Sequence, residues 1–457
     1  MTDFRAKLVS VAGGTGYRDT WLWNLGFSAY WFATSYKWFV LLLIVLPLQV
    51  IGVLTSEGIA RGLTPEAAAE WAESVKDGRW GIVIGAGALW ATIGPAIFGG
   101  LSDRVRTRWG HRQPFIAVGA AMTAMAVAFL ADASAYWMLI VGYFLLQFSD
   151  DVGTGPYSAM VPELVPEERR GRASSIMSML QLLGQLASGG VAIGIAIAGG
   201  DSIDVIKTLY LGIGSVNILC AVWTLYTVRN VRAGAVLEES KEPFLKRWAR
   251  PFKNRDFRWV WYTRFINALG FYLIVEFLLY FLRSAYTEFS LFGTPLPGAD
   301  SDDPATTATL FLALTMALTG AIGAGVASRY ADKIGRKPLI YASGVIVFCT
   351  MVPFAFVRDF TLAWLIAGLF GVGYGLFLAA DWALVSDIIP NKDAAGTEMG
   401  VWQMSISSVQ TLAIPFGFAI SYFNRLSKDA GYMGAIVLAG CLFLTSTILV
   451  RQVKGSR

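Results

Sequence analysis

Apolar runs of roughly 18 residues or more, the length a helix needs to cross a bilayer, recur along this chain from near Trp21 to near Val450. Short polar stretches separate them. The pattern predicts twelve spans, near 21–54, 80–98, 114–131, 135–160, 171–199, 206–228, 259–283, 305–327, 338–357, 361–389, 398–424 and 430–450. The first is long for one crossing: either it tilts, or it begins as an interfacial segment marked by Trp21, Trp23 and Trp31. Residues 229–258, the one long polar stretch on their side, divide the spans six and six. The expected fold is therefore an all-α membrane protein of twelve transmembrane helices in two bundles, 1–228 and 259–457, joined by a linker at 229–258.

Composition agrees with lipid as the solvent: 55% of residues are hydrophobic and only 15% charged, against about 25% charged in a soluble domain. Lys and Arg in loops set orientation. With both termini inside, the cytoplasmic segments hold 27 of the 37 basic residues and the opposite side 8, while Lys37 and Arg264 lie within spans. That asymmetry predicts cytoplasmic termini. The opening "MTDFRAKLVSVAGG" lacks an apolar core with a small-residue cleavage site, so no cleaved leader is expected. The linker reads as a basic segment lying on an anionic leaflet, with partner binding as the other possibility. The outward stretches at 55–78 and 287–308 are modest loops, the first with helical spacing.

Cys220, Cys349 and Cys441 lie far apart inside apolar runs, as small buried side chains rather than metal ligands or disulfide partners. His111 is the sole histidine. No nucleophile–His–acid set, zinc spacing or phosphate-binding loop occurs, so neither an enzyme nor a cofactor or metal is expected. The glycine clusters "GAIGAG" (320–325) and "GLFGVGYG" (368–375) read as close-packing helix surfaces.

The chain repeats itself. "GGLSDRVRTRWGHRQP" (99–114) and "SRYADKIGRKP" (328–338) each follow a Gly-rich span, with Asp103-Arg104 over Asp332-Lys333. "MVPELVPEERRG" (160–171) matches "LVSDIIPNKDAAG" (384–396), with Glu163 over Asp387 and Pro166 over Pro390, and "WLWNLGF" (21–27) more weakly matches "WVWYTRF" (259–265). Two six-span halves in one orientation form a parallel repeat, whose halves rock about a central site to give alternating access. The basic loops serve orientation, and the repeat adds a gate. Asp103 can accept hydrogen bonds at a neighbouring helix N-terminus, and Arg104 and Arg108 can pair with acids such as Glu163 and Asp387. Asp332, Arg336 and Arg264 complete the expected gate.

These residues carry a resemblance. "GGLSDRVRTRWGHRQPFIAVG" and "YADKIGRKP" resemble the cytoplasmic loop signature of the major facilitator superfamily. The extended "SDRVRTRWGHRQPF", together with "GTGPYSAMVPELVPEERRGRASS", resembles the glycoside–pentoside–hexuronide cation symporters and the sucrose transporter branch. The resemblance implies a sugar substrate moved with H⁺ or Na⁺. Two departures stand out: the acid that the sucrose branch carries in span four falls at Gln147, with Asp150 and Asp151 following instead. Span two also lacks the paired acids of melibiose-type permeases.

An ionisable side chain at mid-bilayer costs about 2.5–3.5 kcal/mol on insertion scales, which makes each one a functional candidate. Lys37, Asp150, Asp151 and Glu276 are the cation-coupling candidates. The alternative is a set of satisfied pairs, Lys37 with Asp150 or Asp151 and Arg264 with Asp381. Adjacent acids point about 100° apart on a helix, so only one of Asp150 and Asp151 can face Lys37 well. Sugars bind through aromatic faces and hydrogen bonds. The candidates are Tyr30, Trp31, Tyr36, Trp38, Gln147, Asn267, Tyr272, Asp381, Trp382, Trp402 and Gln403. The expected protein is a monomeric secondary transporter in a bacterial inner membrane, with a small solute, a cation and the lipid bilayer as partners and no nucleic acid. The alternative function is transport of another small organic solute, including drug efflux. An efflux protein would be expected to have a largely apolar cavity.

Overall fold

The computed structural model describes residues 17–105, 107–197, 203–230, 244–296, 304–389, 394–409 and 413–454. These residues are helical almost throughout. Helix α1 (Trp21–Val40) runs through a π-helical turn (Leu41–Val45) into α2 (Leu46–Ala60) as one rod. There follow α3 (Pro65–Ser102), α4 (Gln113–Ala131), α5 (Tyr136–Ser158), the short α6 (Met160–Leu164), α7 (Arg170–Ile197) and α8 (Ile203–Val228). Beyond the short α9 (Phe244–Ala249) come α10 (Arg255–Ala285), α11 (Pro304–Ile334), α12 (Arg336–Phe356) and α13 (Phe360–Ile388). Helices α14 (Ala395–Ser407) and α15 (Ala413–Leu426) are shorter, and α16 (Ala430–Leu449) is last. The described residues thus form eleven long rods and these two shorter helices, plus a two-stranded turn, β1 (Ser290–Leu291) with β2 (Thr294–Pro295).

Helix starts are fixed by local chemistry. The Thr20 hydroxyl accepts from the Trp23 N–H, Thr64 from Ala67, and Asp359 from Leu362, each satisfying a donor the helix leaves free. Thr64 followed by Pro65 starts α3 fifteen residues before the span predicted at 80–98, so the outward stretch is helix continuous with span two. The first rod likewise extends to Ala60 rather than ending near 54.

Seven helices are long and apolar enough to cross a membrane, and an eighth qualifies if α10, bent by 42° between Val275 and Phe277, counts as one span. The rods of α1, α5 and α7 fall short, the first two carrying Lys37 and Asp150 with Asp151, while α14 and α15 are 13 and 14 residues long, too short to qualify. Large apolar side chains such as Leu211, Leu219, Val222, Ile322 and Val345 are more than half exposed on outward helix faces. That placement fits lipid contact rather than water.

In the first half α1 packs on α7 and α8, and α5 packs on α3 and α4. In the second, α10 packs on α16, and α13 on α11 and α12. The halves meet along α3 with α14, and along α7 with α11 and α13. Glycines allow these approaches. A Cβ on Gly99 would overlap the Gly396 carbonyl, and one on Gly400 would overlap the backbone of Ala96. The glycine clusters act the same way within the second half, where Gly375 and Gly371 seat against the backbone of Gly320 and Met316.

Candidate functional site

Two buried charged centres lie in the interior, one in each half. In the first, α1 and α5 bring Lys37 against Asp150, both buried, and the Lys37 ammonium bonds to Asp150 Oδ1. The Trp38 indole N–H donates to Asp150 Oδ2 at 2.8 Å, and the ammonium lies 5.1 Å from the Trp38 ring. Asp150 is thus fully engaged. Asp151 is not: its Oδ1 accepts only from the Gln147 amide at 3.3 Å, and its Oδ2 is buried with no hydrogen-bond partner. The 100° between adjacent residues on α5 separates the two acids into a paired one and a spare one.

In the second centre, the guanidinium of Arg264 on α10 donates to Asp381 Oδ2 at 2.7 Å and to Gln403 Oε1 at 3.1 Å. It lies 3.2 Å over the Trp402 ring, a cation–π contact made where water is excluded. Trp402 packs edge-on against Trp382, at 4.7 Å, and Trp382 against Trp31 of the first half, at 5.5 Å. Three indoles therefore bridge the halves beside Arg264. The N–H groups of Trp31 and Trp402 are buried without partners, as is the Tyr30 hydroxyl.

Around these centres, Tyr36 stacks on Phe32, and Trp38 also packs edge-on to Tyr143. Asn267 is buried, and Tyr272 lies half-buried beside Phe271. The side chains of Glu276 and Asp332 lie outside the described residues. Arg264, expected at the gate, belongs to the interior centre instead, where its pairing with Asp381 holds it.

The polar bridges between the halves gather at the end that carries the basic loops. Asp103 accepts from the backbone N–H of Gly396 and Thr397, at 3.0 and 2.9 Å, and from the Thr397 hydroxyl at 2.8 Å. It thereby caps the N-terminus of α14 across the interface. Arg112 bonds to Asp103 (2.6 Å), Ser102 and Glu163, and His111 lies 3.1 Å from Glu163. Burial alone would push the Glu163 carboxyl up, but Arg112 and His111 together hold it down to about 2. On the other side Asp387 receives Arg336 at 3.0 Å and Arg170 at 3.5 Å. Arg170 also donates to the Ser386 carbonyl at 2.8 Å, and Arg336 to the Glu167 carbonyl at 3.2 Å.

Arg104 and Arg108 make none of these bridges. Both are exposed, and Arg108 lies over the neighbouring Trp109 ring. The acids named from the sequence are present, and Asp387 pairs with Arg336, also named there, but their other partners, Arg112 and Arg170, were not singled out. One signal could have found Arg112. Arg112 and Arg336 each stand two residues before a proline and are separated by 224 positions, the same spacing as Glu163 and Asp387. The repeat therefore writes one ion pair twice, Arg112–Glu163 and Arg336–Asp387. Aligning the loops by their aspartates hides that correspondence. Arg170 has no counterpart, because its repeat position is Ala394.

This is the architecture of a rocking membrane transporter, and comparison with known proteins agrees. The profile of the Major Facilitator Superfamily matches residues 32–414, so the chain belongs to that superfamily. No curated protein sequence matches it. Many solved structures share the fold. One is a fucose:proton symporter of E. coli, 14% identical, with a TM-score of 0.62 over 93% of this chain and 98% of that one. Another is the proton:xylose symporter XylE bound to 6-bromo-6-deoxy-D-glucose, 13% identical, with a TM-score of 0.66 over 96% and 97%. A third is the human organic anion transporter MFSD10, 14% identical, with a TM-score of 0.61 over 94% and 98%.

Proposed function

We propose that this transporter imports a glycoside or oligosaccharide of sucrose or maltose size together with a proton. The bundles 1–228 and 259–457 rock about the indole bridge, and 229–258 joins them. The basic end faces the cytoplasm of a bacterial cell, as the loop charges require, and the protein works as a monomer. In this state the bridges of Asp103, Arg170 and Arg336 close the cytoplasmic side.

The observation that carries the reading is Asp151. It is a buried carboxyl with one oxygen unpartnered, beside an acid that has taken the only lysine within reach. A lone buried charge is costly, so such a group exchanges protons rather than holding a fixed charge. Glu276, on the first helix of the second half, is a second coupling site. Trp31, Trp382, Trp402 and Gln403 offer aromatic faces and donors to a sugar, with Tyr30, Gln147, Asn267 and Tyr272 around them. The resemblance of the loops to the sucrose branch and the likeness of the fold to two sugar symporters support this choice.

A second reading, another small organic solute, rests on Arg264 and Lys37 bringing positive charge to the interior, as an organic anion would need. Proteoliposomes separate the two. Accumulation of a labelled disaccharide on an inward proton gradient, abolished by a protonophore, is the expected result. Uptake of organic anions with no sugar uptake would replace it with the second reading.

A further inference from the structure

The spare oxygen of Asp151 does not sit in open space. It lies against the backbone of α3 at Gly94, where any side chain would occupy its place: a Cβ on Gly94 would overlap Asp151 Oδ2 and stand 2.9 Å from Trp90 Nε1. The Trp90 indole N–H is itself buried without a partner. An acceptor lacking a donor and a donor lacking an acceptor therefore share one glycine notch. Their elements come from different helices, α5 and α3, so the pairing is not a by-product of local sequence. Trp90 cannot drift freely, since it stacks on Phe148 at 5.1 Å and packs edge-on to Phe98 at 6.1 Å.

The groups acting on Asp151 are few. Asp150 and Tyr143 share its helix, and Lys37 and Tyr30 reach it from α1. From Gly81 to Ser102, α3 contributes no ionisable side chain. Lys37 is committed to Asp150. Among the described residues the Tyr30 hydroxyl and the Trp90 N–H are both unpartnered donors near Asp151, and Trp90 is the one that shares the Gly94 notch with Oδ2 once the acid gives up its proton.

We propose that Gly94 and Trp90 are positioning residues for Asp151: glycine admits the carboxyl to a dry notch, and the Trp90 N–H takes Oδ2 as its acceptor when the proton leaves. The inference rests on the reading of Asp151 as the proton carrier, and it assigns two residues of span two that the charge pattern leaves unmarked.

The test is the pH profile of carbodiimide labelling at Asp151 in the intact, substrate-free protein, read by mass spectrometry. The reagent attacks the protonated carboxyl, so the profile reports protonation without requiring transport. Trp90→Phe keeps an aromatic ring against Phe148 while removing the indole N–H. A hydrogen bond to a charged acceptor lost in this way moves the midpoint upward by about one pH unit, because the anion alone is destabilised. Gly94→Ala, which expels the carboxyl from the notch, is expected to displace the profile as well. Gly85→Ala on the same helix, where a Cβ meets nothing within 4 Å, leaves it in place. Wild-type profiles in both Trp90→Phe and Gly94→Ala would overturn the inference. If the shifts appear in a protein that takes up no sugar, the notch stands and the substrate reading fails. If Asp151 never labels at any pH, the proton-carrier reading fails, and the inference with it.

Discussion

Lys37 and Asp150 bind each other in a setting where neither is tolerated alone. Removing one partner of a buried pair leaves an uncompensated charge, typically a loss of about 3–5 kcal/mol. Lys37→Met is therefore expected to lower the melting temperature of the purified protein sharply, and Lys37→Met with Asp150→Leu to recover much of the loss. If the double substitution melts no higher than the single one, the two residues do not form the pair described. Asp151→Asn belongs to a different class. The amide keeps shape and burial but cannot carry a proton, so sugar exchange down its own gradient should persist while accumulation against it is lost. Loss of both would mark Asp151 as structural. Both acids were legible in the sequence as charges stranded in an apolar run, whereas their division of labour was not. Which acid meets Lys37 depends on the rotation of α5 against α1, and no pattern along the chain reports that angle.

The proposed gate is made of helix ends and of glycines that let α3 and α14 touch. Gly396 stands where a Cβ would meet the Gly99 carbonyl, Arg112 and Asp103 at once. Gly396→Ala should therefore favour the state open to the cytoplasm. Spin labels at Trp109→Cys and Tyr330→Cys, with Cys220, Cys349 and Cys441 replaced, would show a longer mean distance than in the Gly396 parent. An unchanged distance distribution would mean that this contact does not set the equilibrium. The gate should also be insensitive to ordinary acidity. Glu163 is held down to about 2 from an ordinary 4.5, so its stabilising bond to Arg112 is complete above about pH 4.5 and fades only as the pH falls toward 2. The label distance is expected to stay constant between pH 5 and 8, and a transition inside that window would contradict the assignment. The apolar helices were readable from hydropathy, because lipid forces each crossing to be helical and apolar, and seven or eight of those described meet that standard outright. The partners at the rod ends were not. Arg104, Arg108 and Arg112 look alike in sequence, and only the turn at Thr107–Gly110 sends the first two outward and Arg112 inward.

At the scale of the whole molecule, both halves place a basic residue beside an acid in the interior, and both place an arginine–acid pair at the basic end. The departures from that symmetry carry the chemistry. The spare acid Asp151 belongs to the first half alone, and the Arg264–Trp402 contact to the second. Arg170 crosses between them without a repeat partner. On the proposed reading, such a molecule closes one side by polar bridges and keeps one buried carboxyl, Asp151, to carry the proton. The most direct measurement of that account is proton movement during sugar entry. Proteoliposomes loaded with a pH-sensitive dye, held without an imposed pH gradient, are given a disaccharide from outside. The account predicts that the lumen acidifies as sugar enters, and that Asp151→Asn abolishes the acidification while sugar still equilibrates. Sugar entry into wild-type vesicles with no change of internal pH would contradict it.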